Sequence, residues 1–238
     1  MRIYTYHENI DFHHQNELID LWKYSWEKQG FEAIVLSISD AEKSPYYEEF
    51  MENLRRIHPF ITGNELGRYG ATCYRRWLAY SEQDETGAFL VADYDVINKN
   101  FNLQYIKERQ DKISFLDGAC PCFAFGTKEQ YLNFCKDMVN YTNNLLTEIK
   151  QQYEEKKFRH YHDQEFLALN HKILQHFNIC PARKYVDFYE HTSPKMEEAK
   201  VLHFAHRSIA EAKINFPELK DLHSDELRVE FIKNILKI

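Results

Sequence analysis

The chain predicts an α/β fold, one domain over residues 1–238 with a mostly parallel, Rossmann-like central sheet flanked by helices. Three observations carry that prediction. Residues 2–6, 15–29 and 31–39 read as strand, amphipathic helix and strand, a β-α-β opening. Helical segments then precede a second apolar run, Ala88 to Ala92, which reads as a buried strand. That run ends in Asp93 and Asp95, and ligands of open α/β sheets gather at the carboxyl ends of strands.

Each element has its own signal. The first helix sets Leu18, Leu21, Trp22 and Trp26 on one face at the helical period, and Gly30 is placed to end it. The second strand, with Ile34, Val35, Leu36 and Ile38, delivers Ser39 and Asp40 to its carboxyl end. Pro45 after Ser44 opens a helix that runs to Arg56, where His58-Pro59 breaks it. A third helix over about 70–81 turns Tyr74, Trp77 and Leu78 inward. Beyond the aspartate pair, the Gly and Pro residues of Ile113 to Gly126 imply strand and tight turns. Thr127-Lys-Glu-Gln130 is a capping box for a long helix whose apolar side carries Tyr131, Phe134, Cys135, Met138, Val139, Leu145 and Ile149. Residues 150–160 are polar and read as its solvated end or a loop. A short helix after Asp163, strands near 184–189 and 200–204, and a helix after Ser224 complete the pattern.

Composition narrows the function. Tyr 16 and Phe 17 against Gly 7 and Pro 6 exclude disorder. The formal net charge is -7 with scattered basic residues, so the phosphate backbone of a nucleic acid is not an expected partner. No run reaches membrane-spanning length and the start, Met-Arg-Ile-Tyr-Thr-Tyr, is strand-like rather than a signal peptide, which predicts a soluble, cytoplasmic protein. Five cysteines without disulfide or zinc-module spacing fit a reducing compartment. Cys120-Pro-Cys122, the only close pair, reads as two half-buried thiols beside a tight turn, with metal or redox chemistry as the alternative.

In an extended backbone residues i and i+2 point to one side, so Asp93 and Asp95 converge while Tyr94 turns away. That suits a hard divalent cation, Mn²⁺ or Mg²⁺, held by one or two carboxylates plus substrate phosphates.

Four segments in order resemble those of GT-A glycosyltransferases, the glycogenin and bacterial galactosyltransferase type, over roughly residues 2–207. Ile3-Tyr-Thr-Tyr-His7 resembles the strand that seats the nucleotide base. Thr72-Cys-Tyr-Arg-Arg76 followed by Asp93-Tyr-Asp95-Val is similar to the family's Tyr-x-Arg helix before Asp-x-Asp-Val. Asp163-Gln164-Glu165-x-Leu167-x-x-Asn170 resembles its Asp-Gln-Asp-x-Leu-Asn helix start beneath the reacting sugar, and Val201-Leu-His203-Phe its Val-Val-His-Phe strand with the third metal ligand. A family of small viral and bacterial GT-A proteins is similar as well.

The resemblance implies a UDP- or GDP-sugar donor, a glycan or other acceptor, and a metal on Asp93, Asp95 and His203, with Asp93 shared with the donor. It implies Thr5, Tyr6 and His7 at the base, Arg76 at the donor sugar or diphosphate, and Asp163, Gln164 and Glu165 at the reacting centre. Asp40 is a nucleobase acceptor or a helix cap. Asp163 is a catalytic carboxylate or an N-cap, and His203 a ligand or a core histidine. Two segments depart from the family. Its Gly-x-x-Lys-Pro-Trp after the histidine is here Ala205-His206-Arg207-Ser208, leaving Arg207 as the substitute for the diphosphate lysine, and its Asn-x-Gly is here Asp117-Gly118-Ala119. A sugar-phosphate nucleotidyltransferase needs a Gly-rich loop after the first strand, and Thr5-Tyr-His-Glu-Asn-Ile has no glycine. A non-catalytic sugar-nucleotide-binding or scaffold domain of the same fold is the remaining alternative.

Overall fold

The computed structural model of the chain describes residues 1–9, 14–61, 67–105, 111–144, 146–155, 162–170, 177–180, 186–190 and 197–238. The predicted opening is present as β1 (Arg2–Tyr6), α1 (Gln15–Glu27) and β2 (Glu32–Leu36), with Gly30 at φ +83 in the turn that ends the helix. β2 stops short of the expected boundary. A short helix, α2 (Ile38–Ala41), takes Ser39 and Asp40 instead, because the Asp40 carboxylate accepts from the Ser37 backbone N–H at 2.9 Å and caps its first turn.

α3 (Tyr47–Ile61) runs through His58-Pro59 rather than breaking there, since a proline withdraws one donor and bends a helix without necessarily ending it. α4 (Gly67–Ser81) leads to β3 (Phe89–Ala92), then β4 (Val96–Asn98), β5 (Ile113–Asp117) and β6 (Cys120–Gly126). The long helix is described on either side of residue 145 as α5 (Lys128–Asn144) and α6 (Leu146–Glu154), so part of the polar 150–160 stretch is helical; Leu145 and residues 156–161 lie outside the described residues. α7 (Asp163–Asn170), β7 (Phe177–Ile179), β8 (Val186–Phe188), β9 (Val201–His203), α8 (His206–Asn215) and α9 (Ser224–Leu236) follow.

The main sheet has the order β2-β1-β3-β6-β5-β7, in which β6 alone opposes the other strands. Strand alternation sends Ile3 and Leu90 into one core with Trp22 and Trp26, and Tyr4, Phe89 and Val91 into another with Trp77, Tyr131 and Phe134. Both faces are therefore covered, as an apolar run like 88–92 requires. A second sheet, β4-β9-β8, stands beside the end of β3. Among the described residues no helix is long and apolar enough to cross a membrane.

Candidate functional site

Asp93 and Asp95 sit where the chain leaves the main sheet for the small one. β3 stops at Ala92, and the Val96 N–H donates to the Asp93 carbonyl at 2.9 Å, closing a tight turn. The Asp93 N–H donates to the Cys122 carbonyl at 2.8 Å and the Phe204 N–H to the Asp95 carbonyl at 2.9 Å, so both aspartates are tied to neighbouring strands. β4 pairs antiparallel with β9, placing Val96 opposite His203. One oxygen each of Asp93 and Asp95 and one ring nitrogen of His203 consequently lie within 4.8 Å of one another. The expected convergence occurs, but a turn rather than an extended strand produces it.

His203 Nε2 is 3.5 Å from Asp95 Oδ1, an atom that is buried and has no hydrogen bond among the described residues. Two carboxylate oxygens and an imidazole nitrogen are donors that a manganese- or magnesium-class ion accepts, so these residues fit such an ion. Burial alone would lower the His203 imidazole; Asp95 and the Cys120 thiol outweigh it and push it up to about 9.

Each aspartate also meets an arginine. Arg76, buried on α4, bonds Asp93 with one nitrogen and donates to Asp163 Oδ2 through Nε at 2.9 Å, while Trp77 Nε1 donates to the same oxygen at 2.8 Å. Burial alone would raise the Asp163 carboxyl, but Arg76 and His162 hold it below its ordinary value. At the other end of Arg76, burial prevails and pushes Asp93 up to about 7. Arg228, buried on α9, stands 3.3 Å from Asp95 and 3.3 Å from Asp225.

The two open lobes of the cleft, of about 640 and 610 Å³, share Arg76, Asp93, Asp95, His206 and Arg228 and so form one continuous site. Tyr6 and His7 line the first lobe. The Tyr6 hydroxyl donates to Glu8 at 2.6 Å, and His7 Nε2 is 2.9 Å from Gln15 Oε1. Thr5 is fully buried behind them, its Oγ1 without a hydrogen bond among the described residues. Glu8 is held by Arg75, whose Nε donates at 2.7 Å.

Asp163 and Gln164 line the second lobe. Asp163 is not the cap of α7. The Gln164 N–H donates to His162 Nδ1 at 3.2 Å and Glu165 accepts the His162 N–H at 3.1 Å, so His162 caps the helix and Asp163 is free to turn inward toward Arg76. Of the three residues expected at the reacting centre, Gln164 has the exposed side chain. Two expected contacts are drawn elsewhere: Asp40 caps α2 and pairs with Lys43 at 2.7 Å, and Arg207 is exposed and pairs with Glu211 at 2.9 Å. Sequence reasoning missed Arg228. Its signal was a basic residue on the apolar face of α9, between Leu227 and Val229 and one turn before Phe231 and Ile232.

No family model and no curated protein matches the chain. Among solved structures it is similar to mouse xyloside xylosyltransferase 1 in its apo form, with 8% identity and a TM-score of 0.51 over 87% of this chain and 98% of that one. It also matches the galactosyltransferase LgtC solved with donor and acceptor sugar analogs, with 12% identity and a TM-score of 0.47 over 86% and 87%. A third match is a glycosyltransferase involved in glycosylation of the major capsid of PBCV-1, with 13% identity and a TM-score of 0.44 over 98% of both chains. The likeness to the xylosyltransferase shows the fold: the chain has the mixed α/β architecture of GT-A-type glycosyltransferases, with a central sheet flanked by helices.

Proposed function

We propose that the chain is a metal-dependent glycosyltransferase that moves a sugar from a UDP- or GDP-sugar donor to a glycan, protein or small-molecule acceptor. The observation that carries this reading is the convergence of Asp93, Asp95 and His203 on the wall of an open cleft. Charge supports it. Asp93, Asp163, Asp95 and Asp225 pair with two guanidiniums, Arg76 and Arg228, so with these six ionised and the neighbouring His162 and His203 neutral, as a metal ligand must be, the two chains of pairs keep a surplus of two negative charges. That surplus repels a diphosphate until a divalent cation offsets it.

Bound on the three ligands, Mn²⁺ or Mg²⁺ would stabilise the departing diphosphate. Tyr6 and His7 seat the base, with Thr5 supporting their strand from the core. Arg228 is the contact we assign to the diphosphate in place of the missing lysine, because its Nε is buried at the cleft without a hydrogen bond among the described residues. Gln164 reaches the reacting sugar. Asp163, engaged by Arg76 and Trp77, acts as a fixed negative charge under the developing cation rather than as a proton acceptor. Glu165 holds the helix start on which Gln164 stands.

The test is a panel of uridine- and guanosine-diphosphate sugars at millimolar concentration, read as melting temperature with manganese and with EDTA. The reading expects stabilisation only with manganese, and an unchanged melting temperature across the panel would overturn it. One observation favours a second reading, transfer without metal: each carboxylate already has an arginine beside it. In that case donor stabilises the protein equally in EDTA. Donor hydrolysis in the absence of acceptor separates either enzyme from a binding domain.

A further inference from the structure

The cysteine pair belongs to a second donor cluster built against His203. β5 and β6 are joined by the two residues Gly118 and Ala119, with Gly118 at φ +57, as a primed hairpin turn requires at its first central position. The turn sets Asp117 opposite Cys120 in the ladder, and two residues on the Cys122 Sγ lies 3.7 Å from Asp117 Oδ2. β9 brings a ring nitrogen of His203 within 4.8 Å of the Cys120 thiol. One donor atom from each of Asp117, Cys120, Cys122 and His203 lies within 4.8 Å of the other three.

Those donors come from two adjacent strands and a third that crosses their end, and Asp117, Cys122 and His203 are buried with Cys120 half-buried. In a tetrahedral site with metal–sulfur bonds of about 2.3 Å and metal–nitrogen bonds of about 2.0 Å, neighbouring donors stand roughly 3.3 to 3.8 Å apart, so modest side-chain rotation closes this set on one ion. Two thiols and an imidazole select a softer ion than do the carboxylates of Asp93 and Asp95.

We propose that Asp117, Cys120, Cys122 and His203 form a second metal site, for a zinc-class ion, that shares His203 with the carboxylate site. Binding releases to solvent the protons held by the two thiols and by the His203 imidazole, which ligates only when neutral, and needs no oxidant. Because one imidazole serves both sets, zinc on the thiol side withdraws His203 from Asp95.

Cobalt(II) tests this, since thiolate ligation gives a ligand-to-metal charge-transfer absorption that oxygen and nitrogen ligands alone do not. The reduced, metal-stripped full chain should show that band saturating at one equivalent and losing it on addition of zinc. A Cys120→Ser/Cys122→Ser variant should lose the band and bind zinc roughly 10²-fold more weakly or worse, the scale on which even the outer partners of metal ligands act. Asp95→Asn should keep it. A wild-type chain without the band, a double variant that keeps it, or an Asp95→Asn variant that loses it overturns the proposal. Should the double variant fail to fold by circular dichroism, Cys120→Ser alone, at a half-buried hairpin position, must weaken the band to roughly half, since one of the two thiolates remains, and an undiminished band overturns the proposal. None of these readouts uses a nucleotide sugar, so failure here is distinct from failure of the transfer reading.

Discussion

Asp93 is held by Arg76 and backed by Asp163; Asp95 is held by Arg228 and backed by Asp225. The two trios differ in how completely their hydrogen bonds are made. Around Arg76 the guanidinium engages both carboxylates, and Trp77 adds a third donor to Asp163. Around Arg228 the contacts are 3.3 Å long and Nε has no hydrogen bond among the described residues. A closed trio resists rearrangement because any movement abandons buried bonds. An incomplete one has a donor left for a ligand. On the proposed reading Arg76 therefore serves as framework and Arg228 as the contact that a diphosphate would complete.

The largest effect that this contrast predicts is on stability at the closed trio. Asp163→Asn leaves Arg76 with one anionic partner while keeping an acceptor for Trp77, so it should cost about 3 kcal/mol, the lower end of the range for breaking a buried pair. Urea unfolding measures it. A loss under about 1 kcal/mol, as expected of a surface helix cap, would mean that Asp163 does not depend on Arg76.

The same pair sets a pH dependence. Arg76 and His162 hold Asp163 below its ordinary value, so its contribution is present above the unfolded carboxylate value of about 3.9 and fades as pH falls through the folded one. The gap between wild type and Asp163→Asn should be widest near neutrality and should narrow below about pH 4. A gap that stays constant from pH 7 to pH 3 would remove the ionic part of the argument.

At the incomplete trio the effect moves from stability to ligand. Arg228→Lys keeps the charge and loses the planar fork, so the unfolding midpoint should shift less than for Asp163→Asn. Donor affinity in manganese should fall about 10- to 100-fold, the worth of one charge-assisted hydrogen bond. If stability fell as far as for Asp163→Asn and donor affinity held, Arg228 would be framework too.

What could be read from the sequence follows the range of the interactions. The β-α-β opening and the Thr127 capping box are local, and the box is present: the Thr127 N–H donates to Gln130 Oε1 at 3.0 Å and the Gln130 N–H to Thr127 Oγ1 at 3.3 Å. Asp93, Asp95 and His203 were expected to converge because short motifs flank them, and they do, although a turn and not a strand brings the carboxylates together. The three-residue strands β4 and β7 carry too little alternation to be recognised, whereas β8 and β9, equally short, fall within the strands expected near 184–189 and 200–204. Arg228 was missed because its role depends on α9 packing beside α1 and under Asp95, which no local period encodes. Asp163 was legible as a candidate site residue but not as the partner of Arg76, 87 positions away.

The smallest effect belongs to Arg207, which sequence offset alone assigns to the diphosphate. Its side chain is 90% exposed and its partner is Glu211 on the same helix, an i,i+4 pair in water. Such a pair is worth roughly 0.5 kcal/mol or less, because holding two long side chains together in a high dielectric gains little. Arg207→Ala should therefore leave the urea midpoint almost unmoved and the manganese-dependent donor shift intact, while Arg228→Lys reduces that shift under the same conditions. The two variants measured side by side decide which arginine replaces the lysine. If Arg207→Ala reduced the donor shift as far as Arg228→Lys, then the start of α8 would have to turn its side chain into the cleft when donor binds, and the spacing from His203 would have identified the contact that we propose for α9.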